Sequence, residues 1–320
     1  TLVQTGNLED DFDVIAKADW VIEAIIERLD IKQNLMSRID EIRPEHCIVS
    51  TNTSGIPEAS IAEGRSDGFK QHFMGTHFFN PPSYLKLLEI IPTNNTLLEV
   101  VDFIRYFGEY RLGKGIVPCK DSPNFIGNRL LSGTNAFALH YILENEYTIP
   151  EVDAITGPVI GRPKTATFRL IDLVGIDVLG HVTQNLIPAI PHDQHALKYL
   201  QSEKVNHLMS TMIENGWLGN KTKCGFYKMV MVEGRKQFWP LDLQTLEHVA
   251  PKKPRLDSVG QAHKMDTRSE KMTAFIEGDD RAATFIKAIT FQSFVYASEV
   301  IPEIADTPKP IDDAMRWGFN

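Results

Sequence analysis

Residues 76–91 read THFFNPPSYLKLLEII. The stretch lies within two apolar runs of strand character, residues 73–79 and 85–91, and Asn80 leads into the Pro81-Pro82 pair that turns one run back toward the other. His77 falls in the first run and Glu89 in the second. A hairpin-like return would bring the carboxylate to the imidazole. A carboxylate that orients a histidine and stabilises its protonated form makes that histidine a general base near neutral pH. The same residues also describe a hydrogen-bonded core histidine and a surface glutamate at a strand end. The pair alone does not separate these readings, so the rest of the chain has to decide.

A chain of 320 residues is long enough for two or more domains with cores of their own. Hydrophobic residues make up 42% and charged residues 23%, ordinary globular values that suggest neither disorder nor a membrane protein. No apolar run approaches the length of a membrane span, and residues 1–20 lack the basic-then-apolar layout of a signal peptide. A soluble, cytoplasmic protein is the default expectation. The net charge of -9 argues against a general nucleic-acid surface. Cys47, Cys119 and Cys224 are widely and irregularly spaced, which suits reduced core thiols and neither a disulfide framework nor a zinc site.

Residues 1–119 alternate strand-like and helix-like segments, the pattern of an open, doubly wound α/β sheet. A buried strand is expected at 20–24, a helix at 27–42 closed by Pro44, and a strand at 47–50 that runs into the polar turn Thr51-Asn52-Thr53-Ser54-Gly55. In a doubly wound sheet such a turn sits at the carboxyl edge, where ligands bind. Local turn chemistry explains the same residues, and this choice also stays open until a partner motif appears. A helix at 95–108 and a last strand at 116–119 follow. No G-x-G-x-x-G phosphate loop occurs, and Gly113-Lys114-Gly115 precedes a strand where that fingerprint must follow one.

From Asp121 the texture turns helical. A long helix is expected at 124–146, capped by Asp121 or Ser122 with Pro123 in its first turn, and further helical pieces at 153–160, 168–172 and 178–187. The His192, Asp193 and His195 group reads as polar helix-start chemistry, so no metal is expected. A strand at 226–232 and a Glu233-Gly234-Arg235 turn predict a second hairpin. The expected organisation is therefore α/β followed by all-α: 1–119 a partial sheet domain, 120–250 a helical domain, and 251–266 a Pro- and Lys-rich linker. Residues 267–320 would begin a second, truncated helical domain, because Pro310-Ile311-Asp312-Asp313-Ala314 echoes Pro150-Glu151-Val152-Asp153-Ala154.

Five segments, in order, carry a resemblance: VIEAIIE at 21–27, STNTSGI at 50–56, HFFNPP at 77–82 followed by KLLEII, KDSPNFIGNRLL at 120–131, and GRPKTATFRLIDLVGID at 161–177. With them the chain resembles the L-3-hydroxyacyl-CoA dehydrogenase family, particularly the bacterial multidomain β-oxidation proteins that fuse this dehydrogenase to an enoyl-CoA hydratase. The resemblance implies an incomplete Rossmann-like domain followed by the family's helical domain. It implies NAD as cofactor, an acyl-CoA substrate, a homo-oligomer, and a hydratase or thiolase partner. By position it makes His77 the general base and Glu89 its orienting carboxylate. Ser54 and Asn128 would hold the substrate's 3-oxygen, while Glu23, Asn52 and Asn80 would lie on the cofactor side, Glu23 near the nicotinamide ribose.

The chain also departs from the family's pattern. Lys164 to Phe168 replace the usual Met-Gly-Pro-Phe, which bears on acyl-chain specificity, and Lys223 stands where glycine is frequent. About a hundred residues holding the first strand, the phosphate loop and the acidic ribose contact are expected before Thr1. Residues 1–320 alone are therefore expected to bind NAD poorly, to be weakly active or inactive, and to leave the strand at 20–24 with an open edge. The alternatives are a 3-hydroxybutyryl-CoA or sugar-acid dehydrogenase, and a non-catalytic dimerisation scaffold. A scaffold has no need of His77, Glu89, Ser54 and Asn128 together.

Overall fold

The computed structural model describes residues 2–319. The chain forms two compact units: 1–129 with 299–320, and 130–298.

The first unit is built on a five-stranded sheet. Its strands are β1 (Trp20–Glu23), β2 (Ile48–Thr51), β3 (Phe73–Phe78), β4 (Leu87–Pro92) and β5 (Gly115–Pro118), in spatial order β1-β2-β3-β4-β5. β1, β2 and β3 run parallel, β4 pairs antiparallel with β3, and β5 is parallel to β4. Among the described residues β1 pairs only with β2 and forms one edge. Helix α1 (Leu29–Ile42) links β1 to β2, and the short α2 (Glu58–Ile61) and α3 (Asp67–Gln71) lie between β2 and β3. α4 (Leu98–Tyr110) links β4 to β5.

β2 is buried along its whole length, and β3 and β4 are buried at all but their last residues. A strand with helices over both faces cannot alternate apolar and polar residues, which is why these segments read as continuous apolar runs. On one face Leu35, Met36 and Ile39 of α1 meet Val49 and Phe73. On the other, Val100, Val101 and Ile104 of α4 meet Ile48, Met74, Leu88 and Ile90. Neighbouring residues Ile48 and Val49, and Phe73 and Met74, divide between the two clusters, as the period of two requires.

Glu58 is wholly buried here, neither of its side-chain oxygens has a hydrogen-bond partner among the described residues, and a Cβ on Gly75 of β3 would overlap its Oε1. Burial pushes its carboxyl well above the ordinary range, and the charge of Asp121 adds to the effect. The protonated form is thus favoured by the fold. Because the folded state holds this proton more tightly than the unfolded chain, stability is greatest below the unfolded value and falls as pH rises toward the folded one. Glu58→Gln, neutral at every pH, is expected to lose this component. Chemical denaturation between about pH 4 and about pH 8 should show a flatter stability profile, with the variant at least as stable as the parent at the upper end. An unchanged slope would refute the assignment.

Pro123 does not open the helix after the sheet. Asn124 and Phe125 adopt left-handed backbone, φ 63° and 50°, and α5 begins at Gly127, running to Glu144. Asp121 does not cap it either. Its carboxylate accepts the N–H groups of Glu58 and Ala59, 2.7 and 2.9 Å away, at the start of α2.

The second unit packs helices around one apolar core. α5 is followed by α6 (Ile149–Ile155), α7 (Phe168–Val174), α8 (Ile176–Ala189), α9 (Gln194–Leu200) and α10 (Glu203–Glu214), then the hairpin β6 (Tyr227–Val232) and β7 (Arg235–Pro240). α6 starts with a capping box in which Thr148 and Glu151 satisfy each other's backbone N–H. Asp193 caps α9 by accepting the N–H of Ala196 at 2.8 Å, the helix-start role its sequence suggests. Asp172 of α7 accepts Phe226 N–H and Tyr227 N–H, both at 2.8 Å, and fastens the loop before β6 to the helices. Burial raises its carboxyl to about 6, opposed by those two hydrogen bonds.

The expected division after residue 250 does not hold. Residues 251–266 contain α11 (Asp257–Ala262), whose Val259 and Ala262 lie in the helical core, so this segment is not a free linker. α12 (Arg268–Glu277) and the first part of α13 (Arg281–Ile304) add Phe275, Ala282, Phe285 and Ile286 to the same core. Residues from 299 onward, with α14 (Pro308–Gly318), belong instead to the sheet unit. Glu303 makes a bidentate pair with buried Arg129, both bonds 3.0 Å, and the Trp317 ring occupies the space a side chain at Gly115 of β5 would need. The long α13 followed by Pro-initiated α14 does repeat the order of α5 and α6. The two halves of the repeat are shared between units because the apolar face of each half meets a different core. No single helix among the described residues is long and apolar enough to cross a membrane.

Candidate active site at the hairpin of β3 and β4

The antiparallel register places His77 directly opposite Glu89. Both are interior, His77 4% and Glu89 0% exposed, so the carboxylate is no surface charge. His77 Nδ1 lies 2.7 Å from Glu89 Oε2. A carboxylate can only accept, so a hydrogen is on Nδ1, and in the neutral ring the lone pair is then on Nε2. The other oxygen, Oε1, accepts Gly127 N–H at 2.7 Å and Ile126 N–H at 3.2 Å, at the start of α5. These donors and the positive end of the helix stabilise the buried negative charge. The Phe79 and Phe125 rings stand 4.5 and 5.7 Å from the imidazole and wall it from water. Cys119 is also close to Glu89. Burial, and then the carboxylate's charge, push its thiol well up, so it stays protonated and is no nucleophile.

Ser54 completes the line. Its Oγ is 3.2 Å from His77 Nε2, the one ring nitrogen able to take a proton. The turn that presents it is held by Glu27, whose Oε1 accepts from Ser54 N–H at 3.0 Å, Gly55 N–H at 3.2 Å and the Thr53 hydroxyl. Asn52 Oδ1 accepts Phe78 N–H at 2.8 Å and ties the turn to the end of β3. Asn128 follows Gly127 in the first turn of α5, half-buried, and among the described residues no hydrogen bond engages its amide. Asn80 is exposed at the hairpin turn.

Glu23 is placed differently from the expected cofactor contact. It is 3% exposed, and its carboxylate accepts from Lys32 Nζ at 2.8 and 2.9 Å, from Thr51 Oγ1 at 2.6 Å and from Ile25 N–H at 2.5 Å. Its carboxylate thus fixes the carboxyl ends of β1 and β2. Glu27 and Lys32 escaped the reading of the sequence. Glu27 is the second acid of the 21–27 motif, and Lys32 is a lysine on the buried side of a helix, 3.4 Å from Glu27. A lysine in phase with Leu35, Met36 and Ile39 signals a buried ion pair.

Residues 1–122 match the 3-hydroxyacyl-CoA dehydrogenase NAD binding domain, and residues 125–229 the 3-hydroxyacyl-CoA dehydrogenase C-terminal domain. A human mitochondrial hydroxyacyl-coenzyme A dehydrogenase is 32% identical over 228 residues, 71% of this chain and 69% of that protein. The chain belongs to the 3-hydroxyacyl-CoA dehydrogenase family. A Bacillus subtilis protein named "Probable 3-hydroxyacyl-CoA dehydrogenase" is 45% identical over 320 residues, 99% of this chain. The chain spans 39% of that relative's length. The solved structure of a 3-hydroxybutyryl-CoA dehydrogenase from Escherichia coli has the same fold, with a TM-score of 0.68 and 24% identity over 97% of this chain and 74% of that one.

NAD is the cofactor of this family's sheet domain, and the nicotinamide end of such a ligand suits the groups at the carboxyl ends of β1 and β2. Exposed Ile26 offers an apolar wall, and the Asn52 amide nitrogen, left over after its oxygen binds β3, offers a donor. These residues would hold the nicotinamide, which supplies the hydride acceptor when bound. Ser54 Oγ and His77 Nε2 lie 3.2 Å apart beside this turn.

Proposed function

We propose that the protein to which this chain belongs oxidises L-3-hydroxyacyl-CoA to 3-ketoacyl-CoA with NAD, a step of fatty-acid β-oxidation. The reading rests above all on one observation, the line Glu89, His77 Nδ1, His77 Nε2, Ser54 Oγ. A C3 hydride can leave an alcohol only as the hydroxyl proton is removed, so a base must stand within hydrogen-bond reach of that oxygen. His77 Nε2 takes the proton, and Glu89 stabilises the imidazolium. The Ser54 hydroxyl and the unengaged Asn128 amide donate to the 3-oxygen as its charge changes. Homo-oligomers and a hydratase or thiolase companion belong to the same proposal.

The complete protein should form NADH with L-3-hydroxyacyl-CoA and leave the D-enantiomer unchanged, and a set of short to long chains would give its preference. No NADH with any L-3-hydroxyacyl-CoA would end the proposal. Ser54→Ala removes one oxygen donor and should lower kcat by roughly a hundredfold to a thousandfold. Binding of the product thioester, measured by calorimetry, should change by less than about threefold, because the CoA body makes its contacts elsewhere. Parent-like kcat would remove Ser54 from the chemistry.

A further inference from the structure

The helical unit contains a cavity of about 740 Å³ between α6 and the segment that carries α11. Its size is within the usual range for small-molecule sites. Ala154, Pro158 and Val159 on one side and Leu256 and Val259 on the other give it apolar walls. Lys253, Arg255, His263 and Lys264 line it as well. None of these four side chains has an ion-pair or hydrogen-bond partner among the described residues, although the chain carries a net charge of -9 and has acids to spare.

Two acids share the lining. Asp153 is already occupied, accepting Thr167 N–H at 3.1 Å, Phe168 N–H at 2.8 Å and Tyr227 OH at 2.8 Å. Asp257 is exposed and has no hydrogen-bond or ion-pair partner for its side chain among the described residues. Three permanent cations against one free carboxylate leave the mouth positive. The segment is also firmly set: Ser258 N–H donates to Asp280 Oδ2 at 2.9 Å, its hydroxyl donates to Oδ1, and Asp280 in turn caps α13 through Ala283 N–H at 2.9 Å. Unpaired cations held at the rim of an apolar hollow match a ligand that is anionic at one end and organic at the other.

We infer that this cavity is a binding site for an organic phosphate, its phosphate held by Lys253, Arg255 and Lys264 and its organic body on the apolar walls. The site is argued from its own lining and without the chemistry at His77, so its test is read independently of turnover. Phenyl phosphate is the probe, because it lacks the adenine that a nucleotide-binding sheet would also accept. Calorimetry on the full chain should show saturable binding, tighter than that of inorganic phosphate by at least about fivefold, the share of the apolar walls. Arg255→Glu with Lys264→Glu should weaken phenyl phosphate by about tenfold or more. Lys252→Glu makes the same kind of charge change just outside the cavity and should change binding by less than about twofold. Since all three positions are exposed, the variants should keep the parent's thermal unfolding curve, and parent binding should weaken with added salt. Absence of saturable binding, or equal binding by the double variant and the parent, would overturn the site.

Discussion

His77→Gln is expected to lower kcat/KM for L-3-hydroxyacyl-CoA oxidation by between about a hundredfold and about ten-thousandfold, the usual worth of a positioned general base. An amide can occupy the space between Phe79, Phe125 and Glu89 and can donate to the carboxylate, but it cannot take a proton at the position of Nε2. The loss should fall on kcat. Steady-state kinetics of the complete protein would show it, and calorimetry should find the thioester still bound, because in the proposed reaction His77 meets only the reacting end. The fold should survive, since Glu89 keeps its two backbone donors at 2.7 and 3.2 Å. Turnover within tenfold of the parent would remove His77 from the role of base.

Glu89 should be the more revealing position, because its two oxygens serve different ends. Oε2 sets the histidine tautomer, and Oε1 satisfies Gly127 and Ile126 at the head of α5. Glu89→Ala strands two buried N–H groups and the imidazole N–H in a fully interior place. At roughly 1–3 kcal/mol for each unsatisfied donor, a stability loss of at least about 3 kcal/mol is expected by chemical denaturation. Glu89→Gln separates the two functions. Its carbonyl can still accept from the helix, so stability should fall by no more than about 2 kcal/mol. Its NH₂ must then face His77 Nδ1, and a donor there forces the hydrogen of the ring onto Nε2, where the base is needed. In a Ser-His-Asp triad the corresponding amide substitution lowers kcat about 10⁴-fold, and a loss of similar order is expected here. A folded Glu89→Gln protein with near-parent kcat would show that the carboxylate does not set the tautomer.

Much of the site was legible in order of sequence. A Pro-Pro turn between two apolar runs forces a return, so the pairing of His77 with Glu89 was readable from the spacing. Ser54 stands in a polar turn after a buried strand, which ligand binding and local turn chemistry explain equally well, and the motif resemblance chose between them. The protein partners of Glu23 were hidden in the sequence for a physical reason. A glutamate at a strand end looks the same whether it faces a ligand or a lysine, and only the helical phase of Lys32 chooses. The start of α5 was misread likewise. Pro123 and Asp121 make a good helix start by local rules, but Asp121 is taken by α2, and the left-handed pair Asn124 and Phe125 delays the helix to Gly127.

By itself the sequence determined the order of elements, the family, and the histidine, glutamate and serine that carry the proposed chemistry. The order of elements follows from periodicity and turn residues, which are local, while the family and the three site residues follow from the resemblance carried by five short motifs. The tertiary structure decided which oxygen of Glu89 meets which donor, and that Glu58 sits buried without a partner. It also decided that residues 251–266 belong to a core and that α14 leaves the helices for the sheet. Each of these depends on groups far apart in the chain competing for the same donors or the same apolar surface. Such competition is settled only when the whole fold is present.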